Sequence, residues 1–126
     1  MYKTKHVHYK AIFKQDEQTE TIEYKAKGLL NENKETQLLF EANGMNIHMT
    51  YGENGIFLKQ NQSVLFFDYQ KEQWNRYQLP YGEVLLKTKL LSFQANEERI
   101  KMKYELYDHS GILSTVYIFI TMLPYE

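Results

Sequence analysis

The chain has no cysteine among its 126 residues, which removes disulfides, thiol catalysis and Cys-ligated zinc together. A domain without disulfides fits a reducing compartment. No apolar run is long enough to cross a bilayer, and Met1-Tyr2-Lys3-Thr4-Lys5-His6 has no apolar stretch behind its positive charges. The expectation is a cytoplasmic protein with no membrane association. A charge surplus is also missing, since 15 Lys plus Arg face 16 Asp plus Glu. A dedicated nucleic-acid binder advertises a basic excess, so no nucleic-acid partner is expected, although the balance leaves room for a local basic patch. Proline occurs only twice, and no linker, low-complexity tract or fixed-period repeat divides the chain. Residues 1–126 read as a single domain large enough to bury a core without metal or disulfide staples.

A convincing helical period is absent as well. What recurs is alternation, clearest in Glu98-Arg99-Ile100-Lys101-Met102-Lys103-Tyr104-Glu105-Leu106. Extended residues point alternately to opposite faces, so Ile100, Met102, Tyr104 and Leu106 form a buried face and the charged residues a wet one. Val7, Tyr9, Ala11 and Phe13 repeat the pattern, followed across a Gln15–Gln18 turn by Ile22, Tyr24, Ala26, Gly28 and Leu30. That hairpin sets the acidic Glu20 and Glu23 against the basic Lys10 and Lys14. Thr36–Phe40, Met45–Tyr51, Ile56–Lys59 and Val64–Tyr69 are further strands. Gly52-Glu53-Asn54-Gly55 is a tight reversal, because Asn-Gly tolerates the positive φ of two-residue hairpin turns. Gln70–Leu79 reads either as a loop with a short strand or as one helical turn carrying Trp74 and Tyr77. Three long strands follow Pro80-Tyr81-Gly82, near 83–94, 97–108 and 112–123.

In the last strand Ile112, Val116, Ile118 and Ile120 share one face, and Leu113, Tyr117, Phe119 and Leu123 share the other. A strand apolar on both faces is expected to be covered on both, by a second sheet, a terminal segment or another subunit. A homodimer through Ile112–Leu123 follows as one expectation, strengthened by the exposed-looking Phe57, Phe67 and Trp74. With 11 Tyr and 7 Phe, the inner faces are amphipathic as well as bulky. Such rings serve either core volume or a ligand pocket. An all-β chain of this kind closes into a barrel or packs sheet on sheet.

Tyr77-Gln78-Leu79-Pro80-Tyr81-Gly82 ahead of long terminal strands, and Tyr104-Glu105-Leu106 ahead of a Gly-containing hairpin, resemble the YwiB-like family of small Gram-positive bacterial proteins. Leu79 stands where the family pattern, aromatic-x-Thr-Pro-Tyr-Gly, has threonine. Leu39-Phe40-Glu41 matches a Tyr-x-Glu element in its glutamate, with the aromatic one place early. Thr50 stands where the family tends to carry an arginine two residues before a glycine, here Gly52, which removes that arginine from any shared site. The resemblance covers almost the whole chain and implies an antiparallel up-and-down calycin-like (lipocalin-like) barrel of about 8–10 strands. It brings a fold and no activity.

Chemistry is sparse. His6 and His8 share a strand face with no ligand-spaced partner beyond His48, so solvent-facing histidines are expected rather than a metal site. Asp108-His109-Ser110 holds triad residue types consecutively, and neighbours in a turn cannot converge. Glu97-Glu98 is a hairpin tip, and Glu41 is expected on the outer surface beside a lysine. No nucleophile–base pair assembles, no cofactor is implied, and no enzyme is expected. The leading expectation is a non-catalytic barrel holding a small, partly apolar or amphipathic ligand. Tyr9, Tyr24, Met45, Met49, Tyr51, Met102 and Tyr104 are its candidate lining. Ala11, Ala26, Gly28 and Ser114 are the small inward residues that either leave room or let neighbours interdigitate. The alternative is a protein-interaction or self-association module with a filled core.

Overall fold

Alternation survives into three dimensions along the strand that shows it best: Ile100, Met102 and Tyr104 are buried while Arg99 and Lys101 are exposed. The computed structural model describes residues 1–125, and among them there are ten strands and no helix. They are β1 Tyr2–Gln15, β2 Gln18–Glu32, β3 Thr36–Ala42, β4 Met45–Gly52, β5 Gly55–Gln60, β6 Ser63–Phe67, β7 Gln73–Leu79, β8 Gly82–Ala95, β9 Arg99–Asp108 and β10 Gly111–Pro124. The ambiguous segment after Gln70 thus contains β7, not a helical turn.

All ten strands form one antiparallel sheet in the order β6-β5-β4-β3-β2-β1-β10-β9-β8-β7. The first and last strands pair from Lys5↔Pro124 to Lys14↔Thr115. The sheet therefore curls into a nearly closed barrel whose remaining seam lies between β6 and β7, which are neighbours in sequence. Inside, Val7, Leu30, Leu38, Ile47, Met49, Ile56, Leu58, Phe67, Ile118 and Met122 form a continuous buried core. Gly28 opens no space in it, because a Cβ there would collide with the Cγ2 methyl of Val7. The small residue permits interdigitation.

Four details depart from the sequence reading. Asn43 and Gly44, with φ of 53° and 78°, make the left-handed two-residue turn. At the Gly52–Gly55 reversal the central residues are instead Glu53 and Asn54, and Gly52 pairs with Gly55. A bulge between Ile112 and Ser114 shifts the phase of β10. Ile112 consequently pairs with Tyr107 and is 54% exposed, leaving the inner face that Val116, Ile118 and Ile120 share. Phe67, one end of the unbroken run Val64-Leu65-Phe66-Phe67, faces inward and is fully buried, whereas Phe57 and Trp74 are exposed. Finally, among the described residues no second sheet covers the outer face of β10. Its Tyr117 ring lies under the ammonium groups of Lys14 and Lys103, at 5.2 and 5.1 Å.

The seam is held by side chains. Asn75 Oδ1 accepts the Phe66 N–H at 2.8 Å, and Asn75 Nδ2 donates to the Phe66 carbonyl at 3.2 Å. One amide side chain thus makes the pair of bonds that a residue of a neighbouring strand would exchange with Phe66. Thr88 Oγ1, from β8 behind it, donates to the same carbonyl at 2.7 Å. Nearer the chain reversals, Ser63 Oγ donates to the Gln78 carbonyl at 2.6 Å. Among the described residues Asn75 and Thr88 are the buried polar ones.

Candidate functional site

The antiparallel order puts the β1–β2, β3–β4, β5–β6, β7–β8 and β9–β10 turns at one end of the barrel and the remaining turns at the other. The two ends differ. At the second, Tyr51 meets Phe93 edge-on at 5.2 Å between ring centres, and Phe93 meets Tyr69 at 6.2 Å. Tyr69 donates its hydroxyl to the Gly52 carbonyl at 2.6 Å, which locks this aromatic plug in place. Burial pushes the Tyr51 and Tyr69 phenols up, and the Glu32 carboxylate adds to the rise at Tyr51.

The first end is a mouth. Met45, Gln60, Asn61, Gln62, Ser63, Tyr77, Gln78, Leu79 and Pro80 line an open cavity of about 580 Å³ that straddles the seam. A second opening of about 520 Å³ lies at the same end but across the barrel from the seam, between Phe13, Gln15, Gln18, Thr19, Glu20 and Ser114. Tyrosines gather toward this end. Tyr9 and Tyr24 pair across β1 and β2, and the Tyr24 hydroxyl accepts from Asn43 Nδ2 at 3.2 Å. The Tyr104 hydroxyl is near those of Tyr9 and Tyr77, and Tyr9 has the Gln60 side chain as its hydrogen-bond partner. Burial pushes the Tyr9 phenol up to about 12, against the opposing pull of Gln60. Burial pushes Tyr104 further in the same direction. These phenols remain neutral hydrogen-bonding groups near neutral pH.

Each residue singled out as pocket lining faces the interior, but not all of them meet. Met45 lines the mouth cavity; Tyr9, Tyr24 and Tyr104 belong to the tyrosine cluster; Met49 and Met102 are packed into the core; Tyr51 is part of the plug at the far end. Gln60 and Tyr77 were missed. Gln60 borders a turn and reads as turn polarity, and Tyr77 falls in the segment whose secondary structure was ambiguous.

The other candidates separate. His6 and His8 are on the outside of β1, where His8 bonds to Glu23, while His48 is on the outside of β4 with two strands between. Lys10 does pair with Glu23 in register, yet the carboxylate goes to His8. Glu41 is exposed, bordering an outer groove of about 450 Å³ with Lys27, His48 and Lys59. Burial, then Lys59, holds the His48 imidazole below its usual range. Asp108 accepts the Ser110 N–H at 2.7 Å in a turn, and His109 stacks on Trp74. Among the described residues no group of His, Asp or Glu is clustered to hold a metal ion. No helix of them is long and apolar enough to cross a membrane.

These features define an up-and-down antiparallel barrel of calycin-like architecture, plugged at one end and open at the other. The chain belongs to the family described as a domain of unknown function, DUF1934, whose model matches residues 7–120. Its fold is similar to the crystal structure of the ywiB protein from Bacillus subtilis, with a TM-score of 0.74 at 21% identity, covering 96% of this chain and 92% of that one. A second solved structure, a CurJ dehydratase, aligns with a TM-score of 0.25 at 8% identity over 92% of this chain and 74% of that one, too low to bear on the fold. No curated protein matches the sequence.

Proposed function

We propose that the barrel is a non-catalytic binding protein that takes a small, uncharged, partly apolar ligand at its mouth. The observation that carries this reading is the composition of the mouth: Met45, Tyr77 and Leu79 offer apolar contact, and Gln60, Asn61, Gln62, Ser63 and Gln78 offer neutral hydrogen bonds. Among the described residues no charged side chain lines that cavity. A charged ligand would lose water there without gaining a partner, so the lining selects for neutrality. The same lining supplies no carboxylate, imidazole or amine for proton transfer. Tyr9 and Tyr104 beneath are shifted away from acid–base use at neutral pH, which argues against catalysis. The lack of cysteine supports a cytoplasmic setting.

Native mass spectrometry of protein taken gently from cells tests the proposal. Extra mass that disappears on denaturation is expected, and Met45→Trp, which fills the mouth, should abolish it while the fold is kept. Bare protein in every preparation, or ligand retained undiminished by the Trp variant, would overturn the reading.

A further inference from the structure

The near-zero net charge of the chain conceals a segregated face. On the outside of β1, β10 and β9 the register sets Lys10 and Lys101 either side of Phe119, and Ile12 and Lys103 either side of Tyr117. His8 and Arg99 likewise flank Thr121, and Lys14 reaches the Tyr117 ring from the β1 side. The result is two cationic rows about 10 Å apart with an aromatic row between them, the two rings about 7 Å apart along the strand. His8, Lys10, Arg99, Lys101, Phe119 and Thr121 border a groove of about 220 Å³ there. Lys10, Lys14, Arg99, Lys101 and Lys103 form no ion pair among the described residues. Two carboxylates adjoin the rows, Glu23 bonded to His8 at the edge of the β1 row and Glu105 accepting from the Tyr107 hydroxyl at the end of β9, and neither forms an ion pair with these lysines or with Arg99.

From this arrangement we propose that the β1–β10–β9 outer face binds single-stranded nucleic acid, with phosphates along the lysine rows and bases on Phe119 and Tyr117. Unpaired cations call for an anionic partner, and the rings between them call for one with flat apolar faces. In the free protein Lys14 and Lys103 cover the Tyr117 ring; an arriving base displaces them, and the released ammonium groups meet the phosphates. A second copy of the chain is disfavoured, because facing these surfaces together sets like charges against each other. A membrane is disfavoured because Phe119 offers only 38% of its surface and Tyr117 lies under the Lys14 and Lys103 ammonium groups, too little apolar area to insert. This face is on the outer wall of the barrel, so the proposal is independent of the mouth.

The test is fluorescence anisotropy of a labelled oligouridylate with the full chain over a salt series. Binding at low salt is expected, with a log–log salt slope of about −3 if four phosphates are neutralised. Phe119→Ala and Tyr117→Ala should each weaken binding roughly ten-fold with the slope unchanged. The double variant Lys101→Glu/Lys103→Glu should abolish binding, whereas Lys59→Glu, with a charge change on another face, should not. Phe119→Leu, which keeps strand packing, should behave like Phe119→Ala, and far-UV circular dichroism checks each fold. The proposal is overturned by absence of binding from the folded wild type, by duplex bound as tightly with the ring variants neutral, or by anionic phospholipid vesicles bound in place of the oligonucleotide. A dimer that buries this face would also overturn it.

Discussion

The barrel is closed twice, by opposite means. Between β1 and β10, the strands farthest apart in sequence, closure is an uninterrupted backbone ladder from Lys5↔Pro124 to Lys14↔Thr115. Between β6 and β7, joined by a short connection, there is no ladder, and Asn75, Thr88 and Ser63 side chains carry the bonds. Proximity in sequence therefore does not decide which strands pair. Twist and strand number set where a curled sheet meets itself, and side chains make up the remainder. A ladder spreads closure over many equivalent bonds. The seam concentrates it in a few, which makes it the more fragile of the two.

The largest effect is expected from removing the amide at the seam. Asn75→Leu leaves the Phe66 N–H without its partner and the Phe66 carbonyl with Thr88 alone, removes the amide's other bonds to Gln73 and Thr88, and should cost about 4 kcal/mol, read from urea unfolding. A loss below about 1 kcal/mol, the range of an ordinary single bond, would mean that the seam contributes little and the comparison fails. Alkali attacks the other side, through Tyr9 on β1. Its folded phenol titrates at about 12 and its unfolded phenol near 10, so between those values the unfolded state alone gives up the proton. The stability contributed by this one phenol is full below pH 10 and falls by about 1.4 kcal/mol per pH unit as pH climbs to 12, about 3 kcal/mol from Tyr9. Tyr104, raised further by burial, adds to the fall. Urea midpoints across that range, with tyrosinate absorbance as the titration monitor, check it. In the ladder region, Gly28→Ala should cost about 2 kcal/mol by overpacking Val7, and stability equal to wild type would show that the wall yields there. Ser63→Ala, the mildest change, should cost less than about 1 kcal/mol in unfolding. Hydrogen exchange should nonetheless quicken at β6 and β7 while β1 and β10 keep their protection.

The wall was legible in the residues, and the seam was not. Val7, Tyr9 and Ala11, or Ile100, Met102 and Tyr104, declare their face by period alone, because each strand buries one side. Asn75 declares nothing, since its importance comes from meeting Phe66 across a gap that exists only after the sheet has curled. The bulge at Ile112 was hidden for a related reason: one extra residue reverses parity without altering composition. Phe67 was misplaced because its run has no polar residues to mark the faces. Of the site, the inward tyrosines and Met45 were readable, whereas Gln60 and Tyr77 depend on which turns share an end.

The placement of the seam also bears on how the protein can be divided. A cut within the β6–β7 connection, between Asp68 and Glu72, severs no ladder and leaves two contiguous sheets, β1–β6 and β7–β10. Each half contains both partners of its internal pairings, and the long β1–β10 register is the complementary edge between them. The domain is thus laid out as a split reporter: two separately produced fragments, reassembling through the first and last strands, with recovery of the mouth as the signal.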